Sequence, residues 1–250
     1  MEIGAQLYTV REFCQNTEDF AETLKRVADI GYRNVQVSGT CAYDPKWLRD
    51  QLDQNGLKCV LTHIPSDQLL ADAGAVAASH DVFHCDLVGL GYFYFDPEKE
   101  DRNYEEFLQK YKPVAKGLAE SGKYFIYHNN DGEFQKCGKK TLLQKLSEDF
   151  AAEEMGFTLD TFWIQAGGAD PADWLKRLSG RVPCIHLKDF SYGRKMAVVG
   201  EGNLNFEKIF EEAEAAKTKY MLVEQDDCNG EDPFACLARS YQNLRAFGFR

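Results

Sequence analysis

The chain has 250 residues, of which 44% are hydrophobic and 28% charged, and its 40 acidic and 29 basic residues give a formal net charge of −11. An acidic surface repels phosphate backbones and anionic lipids, so nucleic acids and membranes are excluded as expected partners. No apolar run approaches the roughly 20 residues of a membrane span, and the segment MEIGAQLYTV does not resemble a signal peptide. The eight cysteines form no C-x-x-C pair, which favours a reducing, cytoplasmic location.

Short β-like runs alternate with longer amphipathic segments along the chain. Eight runs have the composition of buried strands, at residues 3–8, 34–38, 57–63, 85–91, 124–128, 157–160, 184–189 and 220–225. Helical spacing of apolar residues predicts a helix over 17–31, with Thr17 as its N-terminal cap and Gly31 at its end. Similar patterns predict helices at 44–56, 102–122 and 205–217.

Repeated strand–helix units predict a parallel sheet, which either closes into a barrel or stays open and doubly wound. No glycine-rich dinucleotide motif follows the first strand, where LYTVREFCQNTEDF stands instead. Polar residues also gather at the C-terminal ends of many strands, as the mouth of a barrel requires. The sequence therefore predicts an α/β fold, a single (β/α)8 TIM barrel over residues 1–250 with its active site at the C-terminal face.

Five predicted strands end in a histidine or a carboxylate: His63, His128, Asp160, His186 and Glu224. Taken singly, a strand-end histidine is more often structural than a ligand, Asp160 can cap the next turn, and Glu224 can pair with Lys188. Together, however, hard oxygen and imidazole nitrogen at one mouth suit Mn²⁺, Co²⁺, Zn²⁺ or Mg²⁺. The sequence thus indicates a divalent-cation site.

Seven short motifs occur in the order found in one known family: VQVSG (35–39), THIP (62–65), YHNNDGEF (127–134), LDTFW (159–163), IHLKDF (185–190), VGEGNLNF (199–206) and VEQDD (223–227). The chain resembles the sugar phosphate isomerase/epimerase family of xylose-isomerase-like barrels. That superfamily also contains ketose 3-epimerases, inosose dehydratase and endonuclease IV. The resemblance covers essentially the whole chain.

The resemblance implies a metal held by Asp160, His186 and Glu224. His128 stands where the epimerases have a glutamate, so either His128 or Glu133 is expected to supply the fourth ligand. The catalytic residues expected are Glu224, Lys188 and Glu133. The residues expected to contact the substrate are His63, Gln36, Gln6, Trp163 and Glu201.

The activity that the resemblance implies is metal-assisted proton abstraction next to a carbonyl of a small sugar or polyol, through an enediolate. Return of the proton gives isomerisation or epimerisation. Two alternatives stay open: a dehydratase or lyase acting on an inosose or keto-sugar, which the H-x-K-D pattern and the fifth-strand histidine favour, and a non-catalytic sugar-binding barrel. The expected partner is a small carbohydrate, and related barrels often form homo-oligomers.

Overall fold

The computed structural model describes residues 1–249, and within them eight parallel strands close into a barrel. We number the strands along the chain: β1 Glu2–Gln6, β2 Asn34–Val37, β3 Lys58–His63, β4 Leu87–Leu90, β5 Tyr124–His128, β6 Met155–Asp160, β7 Cys184–Leu187 and β8 Tyr220–Val223. Each strand pairs with its neighbours in sequence, and β8 closes the barrel against β1. The predicted (β/α)8 barrel is therefore confirmed. The predicted domain extends to Arg250, which lies outside the described residues.

Ten α-helices in this part of the chain surround the barrel: α1 Thr17–Ile30, α2 Pro45–Gln54, α3 Ser66–Ala71, α4 Ala73–Val82, α5 Tyr104–Glu120, α6 Leu142–Asp149, α7 Thr161–Ala166, α8 Pro171–Arg177, α9 Phe206–Ala215 and α10 Pro233–Ala246. Short 3₁₀ segments occupy Leu7–Phe13 and Gly132–Phe134. Two hairpins pair Lys136–Cys137 with Lys140–Thr141 and Asp189–Ser191 with Lys195–Ala197. None of these helices has the length and apolarity needed to cross a bilayer.

Local hydrogen bonds correct two details of the predicted elements. The cap of α1 is Asn16 rather than Thr17, because the Asn16 side chain accepts from the backbone nitrogen of Asp19 at 2.9 Å. Strand β1 ends at Gln6 rather than at residue 8, because the Gln6 side chain accepts from the backbone nitrogen of Tyr8 and starts a 3₁₀ turn. Helix α1 does end at Gly31, whose φ of 127° lies where side chains are disfavoured.

The core has two parts, and the smaller one positions the site. The larger cluster fills the space between the strands and the helices. The smaller cluster contains strand residues that fill the lower barrel: Val60, Leu61, Ile126, Cys184, Tyr220 and Leu222. Because strand side chains alternate, the residue two positions after an inward-facing one also faces inward. The next inward positions after Ile126, Cys184 and Leu222 are His128, His186 and Glu224, above the apolar layer.

Candidate active site

Four side chains from consecutive strands converge at the C-terminal mouth of the barrel. His128 and Asp160 end β5 and β6, His186 lies in β7, and Glu224 directly follows β8. One potential ligand atom of each residue lies within 4.8 Å of those of the other three, and all four residues are buried. The structure thus brings together the four residues that the sequence singled out as metal ligands.

The other hydrogen bonds of the two histidines determine which ring nitrogen faces this cluster. His128 Nδ1 lies 2.9 Å from the carbonyl oxygen of Gly91, and His186 Nε2 lies 2.7 Å from Oε1 of Gln36. Both partners accept hydrogen bonds, so these two nitrogens carry protons. When the rings are neutral, the opposite nitrogens, His128 Nε2 and His186 Nδ1, each carry a lone pair and no proton.

Both lone pairs face carboxylate oxygens. His128 Nε2 is 3.3 Å from Asp160 Oδ2, and His186 Nδ1 is 2.8 Å from Glu224 Oε2. His186 Nδ1 and Glu224 Oε2 are both buried, so no solvent screens one from the other. Lone pairs that face negative charge are stable only when a proton or a cation lies between them. Two imidazole nitrogens and two carboxylate oxygens, oriented by outer hydrogen bonds, therefore fit a divalent transition metal.

Lys188 brings a positive charge to the edge of the same cluster. Its Nζ lies 3.0 Å from Asp160 Oδ2, 3.1 Å from Glu224 Oε2 and 3.0 Å from Asp226 Oδ2. The Lys188 side chain is only 1% exposed, whereas that of Asp226 is 23% exposed. The ammonium group therefore joins the buried carboxylates to a carboxylate nearer the solvent.

The charges in this cluster determine its protonation states. Burial by itself would raise the pKa of Asp160 and Glu224, but the charge of Lys188 and the neighbouring histidines outweigh burial and lower both pKa values. Burial by itself would lower the pKa of His186, but Glu224 and Asp160 raise it to about 9. The same carboxylates raise the pKa of Lys188. Without a metal, His186 therefore holds a proton at neutral pH between two ionised carboxylates.

A cavity of about 500 Å³ covers the cluster, a volume within the usual range for small-molecule sites. His63 forms part of its wall, with its ring centroid 5.3 Å from that of His128 and 5.7 Å from that of His186. His63 Nε2 is buried and makes no hydrogen bond within the described chain. Burial, together with the neighbouring histidines and Lys188, lowers the pKa of His63, so its ring is a neutral part of the cavity wall.

Of the other residues expected to contact a substrate, one lines this cavity and two support it. Trp163 is in the wall, with Lys188 Nζ 5.6 Å from its ring centroid. Gln36 accepts from His186 and so orients a ligand of the cluster rather than lining the cavity. Gln6 is fully buried and accepts from the backbone of Tyr8. Trp163 is thus exposed to the cavity, whereas the two glutamines support its surroundings.

Glu133 and Glu201 are not brought to the cavity. Glu133 is buried on the helix side of β5, where Tyr127 donates to it at 2.5 Å and the backbone nitrogen of Asn130 donates at 2.8 Å. It does not reach the cluster, because Tyr127 points away from the barrel axis while His128 points toward it. Glu201 forms a surface ion pair with Arg239 at 2.9 Å. The fourth donor in the structure is therefore His128.

The glycine-rich loop VGEGNLNF is already occupied by a side chain of the protein. Asp189 accepts from the backbone nitrogens of Gly200 at 2.9 Å, Gly202 at 2.8 Å and Leu204 at 3.3 Å. Its carboxylate thus takes the position that an anionic ligand would need. This loop supports the barrel mouth rather than binding phosphate.

Asp226 is not among the residues expected from the sequence to form the site. It lines the cavity and contacts Lys188, yet its Oδ1 has no hydrogen-bond partner among the described residues. Burial and the charges of Glu224 and Asp160 raise the pKa of Asp226 to about 6. The motif VEQDD could have indicated this position, because the residue two positions after Glu224 lies on the same side of an extended chain and so faces the same cavity.

Comparison with known proteins gives one family and many structural neighbours. A family model described as xylose isomerase-like TIM barrel matches residues 24–244. No curated protein sequence matches the chain. Among solved structures, a sugar phosphate isomerase/epimerase from Parabacteroides distasonis superposes with a TM-score of 0.82 at 20% identity, covering 98% of this chain and 93% of that one.

Two further neighbours carry different activities in their names. A probable 3-DHS dehydratase from Bacillus anthracis, involved in petrobactin synthesis, has a TM-score of 0.75 at 14% identity, covering 98% of this chain and 99% of that one. An L-ribulose 3-epimerase has a TM-score of 0.70 at 15% identity, covering 98% and 94%. At these identities the likeness establishes the fold, and one fold supports several reactions.

Proposed function

We propose, starting from the fact that this chain belongs to the xylose isomerase-like TIM barrel family, that it catalyses divalent-cation-dependent proton transfer next to the carbonyl of a small carbohydrate. One observation carries the proposal. His128 Nε2 and His186 Nδ1 are turned by outer hydrogen bonds toward the carboxylates of Asp160 and Glu224, which leaves four buried donors around one point.

His128, Asp160, His186 and Glu224 are the residues that would hold the cation. A bound divalent cation supplies positive charge that polarises a carbonyl and stabilises the negative charge of an enediolate. Because Gly91 and Gln36 fix the two imidazole rings, the protein orients its donors before a ligand arrives.

Asp226 and Lys188 are the groups we assign to proton transfer and charge stabilisation. Asp226 is the more exposed of the two carboxylates in the cavity, with 23% of its side chain accessible against 5% for Glu224, so it can accept a proton from a substrate carbon. Lys188 lies between it and the cation ligands, where its ammonium group can donate to a developing oxyanion. Trp163 offers an apolar face on which a sugar ring can stack.

The placement of the carboxylates favours isomerisation over epimerisation. Both carboxylates that line the cavity, Glu224 and Asp226, come from the end of β8. One base on one side of the substrate is sufficient to move a proton between adjacent carbons, whereas epimerisation needs a second proton carrier on the opposite side. Glu133, expected from the sequence to be catalytic, lies outside the cavity, and His128, which lines it, is assigned to the cation.

Elimination by a dehydratase or lyase is the second candidate, and the position of Lys188 favours it. A protonated lysine beside a base can donate its proton to a leaving hydroxyl group while the base removes the proton from the neighbouring carbon. Lys188 contacts Asp226 and Glu224 at 3.0 and 3.1 Å, so a proton donor and a base would share one wall of the cavity.

Deuterium wash-in tests both candidates. The purified protein is incubated in D₂O with Mn²⁺ and a panel of aldoses, ketoses, inososes and keto-glycosides, and the substrates are followed by NMR. We expect deuterium at one carbon next to a carbonyl, with an isomer as product; an unsaturated product instead indicates elimination. Absence of exchange across the panel, in a protein that also purifies without a bound metal, would contradict the proposal and favour a non-catalytic sugar-binding barrel.

A further inference from the structure

A second cavity adjoins the first, on the side of the barrel formed by β2 and β3. It measures about 390 Å³ and lies between the loop after β2 and the helices α3 and α4. Its apolar wall includes the rings of Tyr43 and Phe83, whose centroids are 6.5 Å apart, and the side chain of Val76. Polar groups are interspersed, among them Thr40 and Gln68. A pocket with apolar and aromatic walls and a few polar groups suits a small organic ring.

The two cavities share one wall, formed by Ser38, His63, Ile64 and Pro65. The ring of His63 also contacts the metal-donor cluster, so a ligand that crosses this wall lies beside the reacting end of the first cavity. Ser38 Oγ is 3.3 Å from His63 Nδ1, which leaves Nε2 as the buried, unpartnered nitrogen.

The electrostatics of the second cavity select neutral groups. No lysine, arginine, aspartate or glutamate lines it within residues 1–249. Its buried histidine, His80, has its pKa lowered to about 4, chiefly by burial, and both ring nitrogens are engaged by Thr62 and the Val76 carbonyl. In the first cavity, Lys188 is the one lysine or arginine in the described wall, and three carboxylates surround it. Neither cavity therefore offers a free cationic side chain for a phosphate or a carboxylate.

We propose that the two cavities together bind a neutral two-ring glycoside. Its reacting sugar, in the first cavity, keeps a carbonyl as a reducing end or a ring ketone, and a second neutral ring, aryl or sugar, lies in the second cavity. The bond between the two rings then crosses the wall at His63 and Ser38. This inference rests on the proposed function for the identity of the reacting sugar, and it extends the substrate class from single sugars to two-ring compounds. It also assigns to the loop of residues 38–43 the role of binding the second ring.

Calorimetric titration of the purified protein in Mn²⁺-containing buffer tests this proposal. The probes are the methyl β-glycosides and phenyl β-glycosides of glucose, galactose and xylose, together with cellobiose, glucose and glucose 6-phosphate. The variant Ser79→Phe places a large side chain in the second cavity, which Ser79 lines from α4. The matched control is Ala78→Phe, which adds the same side chain at the neighbouring, exposed position of the same helix, outside both cavities.

We expect at least one two-ring probe to bind tenfold or more tightly than the methyl glycoside of the same sugar. Ser79→Phe should remove that preference while leaving the affinity for the methyl glycoside within twofold, and Ala78→Phe should preserve it. The proposal is overturned if no two-ring probe is preferred or bound, if the preference survives Ser79→Phe, or if glucose 6-phosphate binds more tightly than glucose. These are binding measurements, so metal content and deuterium exchange with one-ring sugars judge the proposed function separately.

Discussion

Replacing Asp160 with asparagine removes one negative charge from the centre of the cluster while keeping the size of the side chain. Asp160 is fully buried and lies 3.0 Å from Lys188 Nζ and 3.3 Å from His128 Nε2. Its Oδ1 also caps α7, accepting from the backbone nitrogen of Trp163 at 3.0 Å, and the amide oxygen of asparagine can retain that bond. The substitution therefore separates the charge of Asp160 from its structural role.

Two magnitudes follow from these contacts. Changes to residues outside the ligand shell already lower metal affinity by about 10–100-fold, so the loss of a ligand charge should lower it by at least about 100-fold. Breaking a buried ion pair costs about 3–5 kcal/mol, and we expect the lower end, about 3 kcal/mol, because Lys188 keeps Glu224 and Asp226 as partners. Asp160→Ala should cost about 1 kcal/mol more, through the lost cap.

Competition titration with Mn²⁺ and denaturant unfolding in EDTA measure these two effects. The matched control is Asp170→Asn, which changes another aspartate cap, that of α8, at an exposed position. We expect the control to retain its metal affinity. Full retention of Mn²⁺ affinity by Asp160→Asn would refute the assignment of Asp160 as a ligand.

Three further predictions concern the protons of the site and its surroundings. His186 holds a proton below its pKa of about 9, and a bound cation must displace that proton. The affinity for Mn²⁺ should therefore fall about tenfold for each pH unit below 9. Titration at pH 6, 7 and 8 measures this slope, and an affinity that does not change with pH would contradict the prediction. Asp226→Asn should keep its metal within twofold but lower the rate of deuterium exchange by about 10²–10⁴-fold; an unchanged exchange rate would show that Asp226 is not the base. Burial raises the pKa of Glu133 to about 7 in the folded protein, above its ordinary value of 4.5. The folded protein therefore holds this proton more tightly than the unfolded chain does. The free energy of unfolding should fall by roughly 3 kcal/mol as the pH rises from 4.5 to 7. Unfolding curves of Glu133→Gln should lack that loss, and the same pH dependence in both proteins would argue against it.

The meeting of His128, Asp160, His186 and Glu224 could be predicted from the sequence because of a general property of the fold. In a parallel barrel all strands end at one mouth, so residues at strand ends become neighbours however far apart they are in the chain. Alternation along each strand then places these side chains inside the barrel. The apolar residues two positions earlier, such as Ile126 and Leu222, fill the layer below them.

Loop residues could not be placed in this way. Glu133 follows His128 by five positions, a spacing compatible with reaching the cluster, but the 3₁₀ turn at Gly132–Phe134 directs it to Tyr127 instead. Glu201 pairs with Arg239, a residue 38 positions away. The contacts of Asp226 likewise depend on the position of Lys188. Such contacts arise from the tertiary fold, and no local spacing encodes them.

The distinction between Asn16 and Thr17 as the cap of α1 shows a smaller limit of sequence reasoning. Both residue types are good caps, and adjacent candidates differ only in which one adopts extended backbone. Asn16 does so, with φ of −145° and ψ of 164°. The path of the backbone from the preceding 3₁₀ segment into the helix determines which of the two residues is the cap.

The proposed function rests on the claim that four buried donors hold a divalent cation at the mouth of the barrel. Anomalous diffraction at the manganese edge, from crystals grown with Mn²⁺, tests it most directly. We predict one strong peak about 2.2 Å from His128 Nε2, Asp160 Oδ2, His186 Nδ1 and Glu224 Oε2, with Lys188 beside it. A map with no peak at this position, in crystals whose Lys188 still bridges Asp160 and Glu224, would contradict the claim.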